Sequence, residues 1–429
     1  MMERYREYKE SGVKWLGEIP SHWELRKIFG LFSENKRKNT AFLYKHAMQF
    51  NYGTIVDKNE CFDTEETKEI YSNYSLINKG DIVINGLNLN YDFVSQRVAI
   101  SPKNGIITSA YVVISPKVEI NTYFYCYLFK NMDNMKIFHG MGTGVRKTLS
   151  YKELRNHEVL LPPLSEQDAI VRYLDTATSE IDKAIAMQQK MIDLLNERKQ
   201  IIIQNAVTKG LDENVEMKES GVEWIGRIPK HWEVVRLSHL TSKIGSGSTP
   251  KAGYVESGII FLRSQNVYCE GLKLNDVVHI SANVHRNMSG TKVLPNDVLM
   301  NITGGSIGRC FYVDETLGEA NVNQHVSIIR PTSIDTHYLK YYLQSYCGQI
   351  QVSLEQTGGN REGLTAKALA KFLITYPSQS EQKEIAAYLD SEMQRFDSAI
   401  TNCQRQITLL QERKQIIINE VVTGKVRVS

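Results

Sequence analysis

No two of the six cysteines, Cys61, Cys126, Cys269, Cys310, Cys347 and Cys403, stand as a CxxC pair. Their scatter argues against a metal knuckle, and a disulfide framework would be unusual in so long a chain. No apolar run approaches the length of a membrane span, and the opening stretch MMERYREYKESG lacks the apolar core of a secretory signal. Nor is there an excess of either charge: 51 Lys and Arg face 48 Asp and Glu, a net of +3. A nucleic-acid partner is neither demanded nor excluded by that balance, and any basic patch has to be made by folding. These absences predict a protein of the reducing cytoplasm with no membrane association. At 429 residues, 42% of them hydrophobic, the chain is long enough to bury two or more cores.

Signatures of catalysis are missing as well. There is no GxxxxGK[ST]; GGNREGLT at 358–365 has a glycine spacing but no lysine before its threonine. No aromatic-flanked Asn-Pro-Pro or Asp-Pro-Pro occurs, and LPPL at 161–164 reads as a proline pair at a helix start. GMGTG at 140–144 lacks the strand-then-helix setting of a dinucleotide fingerprint and reads as a loop. None of the ten histidines forms HExxH, and His22 and His231 read as structural parts of a repeated phrase. The expectation is a chain with no catalytic residue, no metal site and no cofactor of its own.

What the chain does have is repetition. ESGVKWLGEIPSHWE at 10–24 returns as ESGVEWIGRIPKHWE at 219–233, and all four tryptophans, Trp15, Trp23, Trp224 and Trp232, lie in these two copies. SEQDAIVRYLD at 165–175 matches SEQKEIAAYLD at 380–390, and ERKQIII at 197–203 recurs unchanged at 412–418. A repeat of this kind has to be settled before any other statement about fold. It predicts four segments: a mixed α/β domain at 1–161, a long helix at 162–210, a second mixed α/β domain at 211–376 and a second long helix at 377–429.

The helices follow from apolar or small residues at steps of four and three: Ile170, Leu174, Ala177, Ile181, Ala184, Met191, Leu195 and Ile202, then Ile385, Leu389, Phe396, Ala399, Ile407, Leu410 and Ile417. That is a coiled-coil seam, interrupted by Gln188 in the first copy. Ser165 is the expected N-cap with Asp168 at the capping-box position, and Gly210 and Gly424 stand just past the ends. Roughly forty residues make a rod of about 60 Å, and two equivalent seams in one chain can bury each other as an antiparallel pair. Runs such as GDIVIN (80–85), AYVVISP (110–116), NDVLMN (296–301) and HVSIIRP (325–331) predict strands. YFYCYL (123–128) falls opposite YLKYYL (338–343), and GVRKTLS (144–150) opposite GNREGLT (359–365), so the two variable blocks share a fold while differing in most surface-type residues. The tryptophans are expected to anchor each block against the base of the rod.

Taken together, GxIPxHWE, SEQxxIxxYLD and ERKQxIIxxxVT resemble the specificity subunit of type I restriction–modification enzymes over essentially the whole chain. The second block adds GSGSTP (245–250), FLRSQNV (261–267), GGSIGR (304–309) and NQHVSIIRP; the first block has no clear counterpart of GSGSTP or GSIGR. The resemblance implies two target-recognition domains and a pseudo-twofold antiparallel coiled coil. Each domain would read one half of a split, asymmetric double-stranded DNA site, with the helix pair setting the gap. It further implies two methyltransferase subunits that use S-adenosylmethionine to methylate adenine at N6, and two motor-nuclease subunits that use ATP and Mg. Phage DNA-mimic anti-restriction proteins are a further implied class of partner.

Base reading favours Arg at guanine and Asn or Gln at adenine. In the first block the candidates are Asn88, Asn90, Gln96, Arg97, Arg146 and Lys147, with Lys36, Arg37 and Lys38 as the basic run and the lysines as phosphate contacts. In the second they are Ser248, Arg263, Gln265, Asn266, Asn301, Thr303, Ser306, Arg309, Asn323, Gln324, His325, Asn360 and Arg361. The competing reading at each position is an ordinary solvated loop. At the level of the chain, the alternatives are a non-catalytic protein-interaction scaffold on a coiled-coil rod, or an enzyme with an unrecognised site.

Overall fold

The computed structural model describes residues 3–58, 64–94, 96–356 and 363–428. The chain forms two compact units. One comprises Met1–Gln189 together with Arg405–Ser429, and the other Lys190–Gln404. The first is therefore built from two separate stretches of chain, and each long helix contributes one part to each unit.

Both units repeat one framework. The glycine-punctuated phrase folds as a hairpin, Tyr8–Glu10 against Glu18–Pro20 in the first unit and Met217–Glu219 against Arg227–Pro229 in the second. Next, Glu24–Lys27 pairs with Glu158–Leu161, and Glu233–Arg236 pairs with Leu373–Tyr376. The central sheet has four antiparallel strands in the order Phe32–Glu34, Val112–Pro116, Ile82–Ile84, Val98–Ile100. Its counterpart runs Thr241–Ser246, Val326–Pro331, Val298–Asn301, Cys310–Tyr312. The expected strand runs thus form the two middle strands of each sheet. Their largely apolar, buried residues suit strands covered on both faces.

Beyond this framework the units part. The second adds a five-stranded sheet in the order Tyr254–Val255, Val278–Ile280, Ile259–Leu262, Ala320–Val322, Lys292–Val293. Among its described residues the first has two-stranded ribbons instead, Met48–Asn51 with Thr54–Asp57 and Ser75–Ile77 with Gly105–Ile107.

The tyrosine-rich helices Thr122–Asn134 and Thr336–Gln344 are capped by Asn121 and Asp335. Each cap residue's N–H donates to the glutamine of the SEQ motif, Gln167 or Gln382, and Tyr127 and Tyr341 each donate to Asp175 or Asp390. These shared contacts align Tyr127 with Tyr341, one residue away from the register expected from the sequence. The expected cap is corrected too. Ser165 lies inside the first long helix, Leu164–Lys209, whereas the second, Gln379–Val422, is capped by Ser378 and Glu381 bonding reciprocally.

Within each unit the long helices run antiparallel. Asp182 meets Lys414 at 2.6 Å in the first, and Lys199 meets Asp397 at 2.5 Å in the second. Ile170 and Leu174 share a core with Ile418, Val421 and Val422, as Ile203 and Val207 do with Ile385 and Leu389. The seam is phased differently from the expected one. Met191 is 49% exposed, while Ile192 is 7% and Ile203 3%. The buried isoleucines Ile170, Ile181, Ile192 and Ile203 thus step by eleven residues, about 3.67 per turn, which follows an undistorted helix more closely than a seven-residue repeat.

Candidate nucleic-acid interface

The repeated phrase is a joint. Trp23 and Trp232 are both 0% exposed. Trp23 Nε1 donates to Glu166 at 3.0 Å and His22 lies 2.7 Å from the same carboxylate; Trp232 and His231 meet Glu381 at 3.2 and 2.7 Å. Burial opposes ionisation of Glu381, but donors from His231, Ser378 and Trp232 outweigh it and hold its carboxyl at about 2. Glu166 is displaced in the same direction, with donors from Trp23, His22 and Tyr5 outweighing burial. Behind each indole sits the glycine that ends the opposite long helix. A Cβ on Gly424 would lie 2.6 Å from the Pro20 ring and 2.9 Å from Trp23, and one on Gly210 3.2 Å from Trp232. HWE, SEQ and the terminal glycine therefore recur together because they build one contact.

The joint fixes the framework. Most of the described candidate side chains lie on loops leaving corresponding ends of the central sheets, whereas Arg263, Gln265 and Asn266 follow the strand Ile259–Leu262 of the five-stranded sheet. Leu149 N–H donates to Gly86 O at 2.9 Å, and Leu364 N–H to Ile302 O at 2.8 Å. Leu149 and Leu364 are thereby tied to the same position of the shared framework.

In the first unit the surprise is Arg97. It is 1% exposed, and its guanidinium donates to the carbonyls of Asn85 at 3.1 Å, Leu87 at 2.7 Å and Asp92 at 2.7 Å. An expected base contact is instead the peg around which residues 85–92 are wound. Its own N–H donates to Asp133, whose carboxyl burial pushes up. Asn88 and Gln96 are exposed; Asn90 is half-buried and donates to Val145 O at 3.0 Å. Arg146 and Lys147 are exposed on a small hairpin closed by the Thr143–Thr148 bridge. Lys36, Arg37 and Lys38 are exposed, Lys36 pairing with Glu34 at 2.9 Å.

In the second unit the candidates form two groups. Thr249 donates to Gln324, whose amide lies 3.1 Å from His325 Nε2, and His325 Nδ1 lies 2.6 Å from the Thr303 hydroxyl. Ser248 is exposed beside them. Gly247 permits this approach, since a Cβ there would lie 1.9 Å from Val322 O. Asn323, expected at the surface, is buried and accepts from His325 N–H.

The other group centres on Asp276, which sequence reasoning missed because no motif marks it. Arg263 donates to its carbonyl at 3.2 Å, and Gln265 to its carboxylate at 2.9 Å. Asn266 and Asn301 are interior. Asn266 donates to Lys273 O at 2.9 Å, and Asn301 to Ser264 O at 2.8 Å and the half-buried Ser306 hydroxyl at 3.1 Å. Arg309 is exposed over the Tyr268 ring at 5.2 Å, with Lys273 at 3.8 Å from the same ring. Asn360 and Arg361 lie outside the described residues.

Arg97, Asn266, Asn301 and Asn323 thus hold loops in shape, and the remaining described candidates face solvent wholly or in part. Among the described residues no group of three or more His, Cys, Asp or Glu is placed to hold a metal ion, and no helix is long and apolar enough to cross a membrane.

A family model described as "Type I restriction modification DNA specificity domain" matches residues 20–190 and again 229–411. The chain belongs to the type I restriction–modification specificity subunits. It is similar to the type I restriction enzyme MjaVIII specificity subunit of Methanocaldococcus jannaschii, 27% identical over 436 residues, covering 98% of this chain and 97% of that one. The EcoBI specificity subunit of Escherichia coli is 27% identical over 270 residues, covering 59% of this chain and 56% of its own. Among solved structures, a chain from work on complex assembly and conformational transition of the type I R-M system has a TM-score of 0.74 at 16% identity, covering 94% of this chain and 98% of that one. The HsdS subunit of Thermoanaerobacter tengcongensis has a TM-score of 0.53 at 18% identity, covering 97% and 100%. In this specificity subunit the two family matches each take in one central sheet with its candidate loops.

Proposed function

We propose that this specificity subunit reads a split double-stranded DNA sequence, one half with each unit, and carries no catalytic centre of its own. The observation that carries this is the repeated framework with unlike loops: equivalent ties, Leu149–Gly86 and Leu364–Ile302, mark the same position of each central sheet, and the residues beside them are Arg146 and Lys147 in the first unit but Thr303 and His325 in the second. Two copies of one scaffold with different side chains at the same position suit the recognition of two different short sequences. The antiparallel helix pair then serves as the spacer, on the scale of one DNA turn, about 34 Å. The methyltransferase subunits dock on it, supply S-adenosylmethionine chemistry and flip the target adenine out of the stack, and motor subunits add ATP- and Mg-dependent restriction. Methylome sequencing of the host with and without this gene tests the reading. A split adenine motif that disappears on deletion and returns on complementation is expected; an unchanged methylome overturns it.

A further inference from the structure

Among the described residues of the first unit, the most exposed large apolar side chain, Val145, stands beside basic loop residues. Val145 is 92% exposed and sits with Arg146 at the apex of a tight turn, in which Lys147 N–H donates to Gly144 O at 3.1 Å. The Thr143–Thr148 bridge closes the turn below, and Asn90 and Leu89 tie it to the neighbouring loop through bonds of 3.0 Å to Val145 O and Lys147 O. That neighbouring loop is wound on the buried guanidinium of Arg97. An aliphatic side chain held out into water on a braced turn gains nothing for the fold, and its surroundings name what it meets. Arg146 and Lys147 follow it on the chain and are themselves exposed, so the occupant carries negative charge beside an apolar spot. Duplex DNA presents that combination in the major groove, where the thymine methyl lies between phosphate backbones and beside guanine acceptors that take an arginine.

We propose that Val145 is a specificity-determining residue that covers a thymine C5-methyl group, with Arg146 on an adjacent guanine. The inference rests on the DNA-reading function proposed above and gives that function a chemical content for the first unit: a half-site containing a T·A pair next to a G·C pair. No counterpart is assigned to the second unit.

The test uses the full chain assembled with its methyltransferase subunits and the duplex found by methylome sequencing. Each thymine of both halves is replaced in turn by deoxyuridine, which removes the methyl group and leaves every hydrogen-bonding group in place. Wild type should lose about three- to fivefold in affinity at one position of one half only, the loss expected for withdrawing one buried methyl. Val145→Ala should bind the unmodified duplex more weakly by a similar factor and show no further loss at that position. Arg146→Ala should lose about tenfold or more and relax the requirement for guanine at the adjacent pair. A uracil penalty that is equal in wild type and Val145→Ala overturns the proposal, as does its absence in wild type. A wild-type complex that does not distinguish the split duplex from a scrambled one instead sinks the parent reading. Both side chains are exposed, and an unchanged melting temperature for each variant confirms that binding rather than folding is measured.

Discussion

Glu381 is surrounded by donors, and its carboxyl is held from the ordinary 4.5 down to about 2. A carboxyl more acidic in the folded than in the unfolded chain stabilises the fold fully above the unfolded value and loses that contribution as pH falls through the folded one. Wild type should therefore exceed Glu381→Gln in stability by about 1–3 kcal/mol at neutral pH, with the difference shrinking between about pH 4.5 and about 2; denaturant unfolding across that range measures it. Gly424 combines a φ of 73° with a Cβ position inside contact distance of Pro20 and Trp23. Gly424→Ala should cost at least about 2 kcal/mol, and more than Gly210→Ala, whose Cβ has 3.2 Å to the Trp232 ring; melting temperatures of the pair check the order. Which residues matter at this scale was half legible. The tryptophans, glycines and SEQ motif announce themselves by repetition, but their assembly into one contact does not. Arg97, Asn266, Asn301 and Asn323 have side chains suited to base reading, and only burial distinguishes a loop peg from a probe.

The long helices show how far periodicity carries. Their existence and extent are plain from steps of four and three, yet a seven-residue template drifts off the buried face and selects Met191 where the chain buries Ile192. Ile192→Ala should accordingly cost about 2–4 kcal/mol, while Met191→Ala should stay within about 0.5 kcal/mol of wild type; parallel unfolding curves separate the two phasings. The middle strands of each central sheet were legible as short apolar runs between turn residues. The five-stranded sheet of the second unit was not, because two of its strands, Tyr254–Val255 and Lys292–Val293, are too short to show any alternation. The one-residue error in aligning the tyrosine-rich helices has a similar origin. Aromatics crowd both, and the register is set by their caps, Asn121 and Asp335, which are different residue types.

For the molecule as a whole, the duplication and the difference in surface between the two blocks were readable, and the form of that difference, a five-stranded sheet in one unit against two-stranded ribbons in the other, was not. If the loops read DNA, the basic run at 36–38 should contribute position without sequence information. Replacing Lys36 and Lys38 by alanine should weaken binding to specific and scrambled duplexes alike and reduce the slope of log affinity against log salt by about 0.9 for each phosphate that a lysine no longer neutralises. A salt titration of wild type and variant measures this. The discontinuous build of the first unit has a further consequence for biosynthesis. Residues 190–404 leave the ribosome as one uninterrupted block, whereas Ile170, Leu174 and Trp23 must wait for Ile418, Val421, Val422 and Gly424 before their shared core can close. The domain translated first is thus finished last, and its nascent apolar surface needs shelter for as long as translation of the other domain takes.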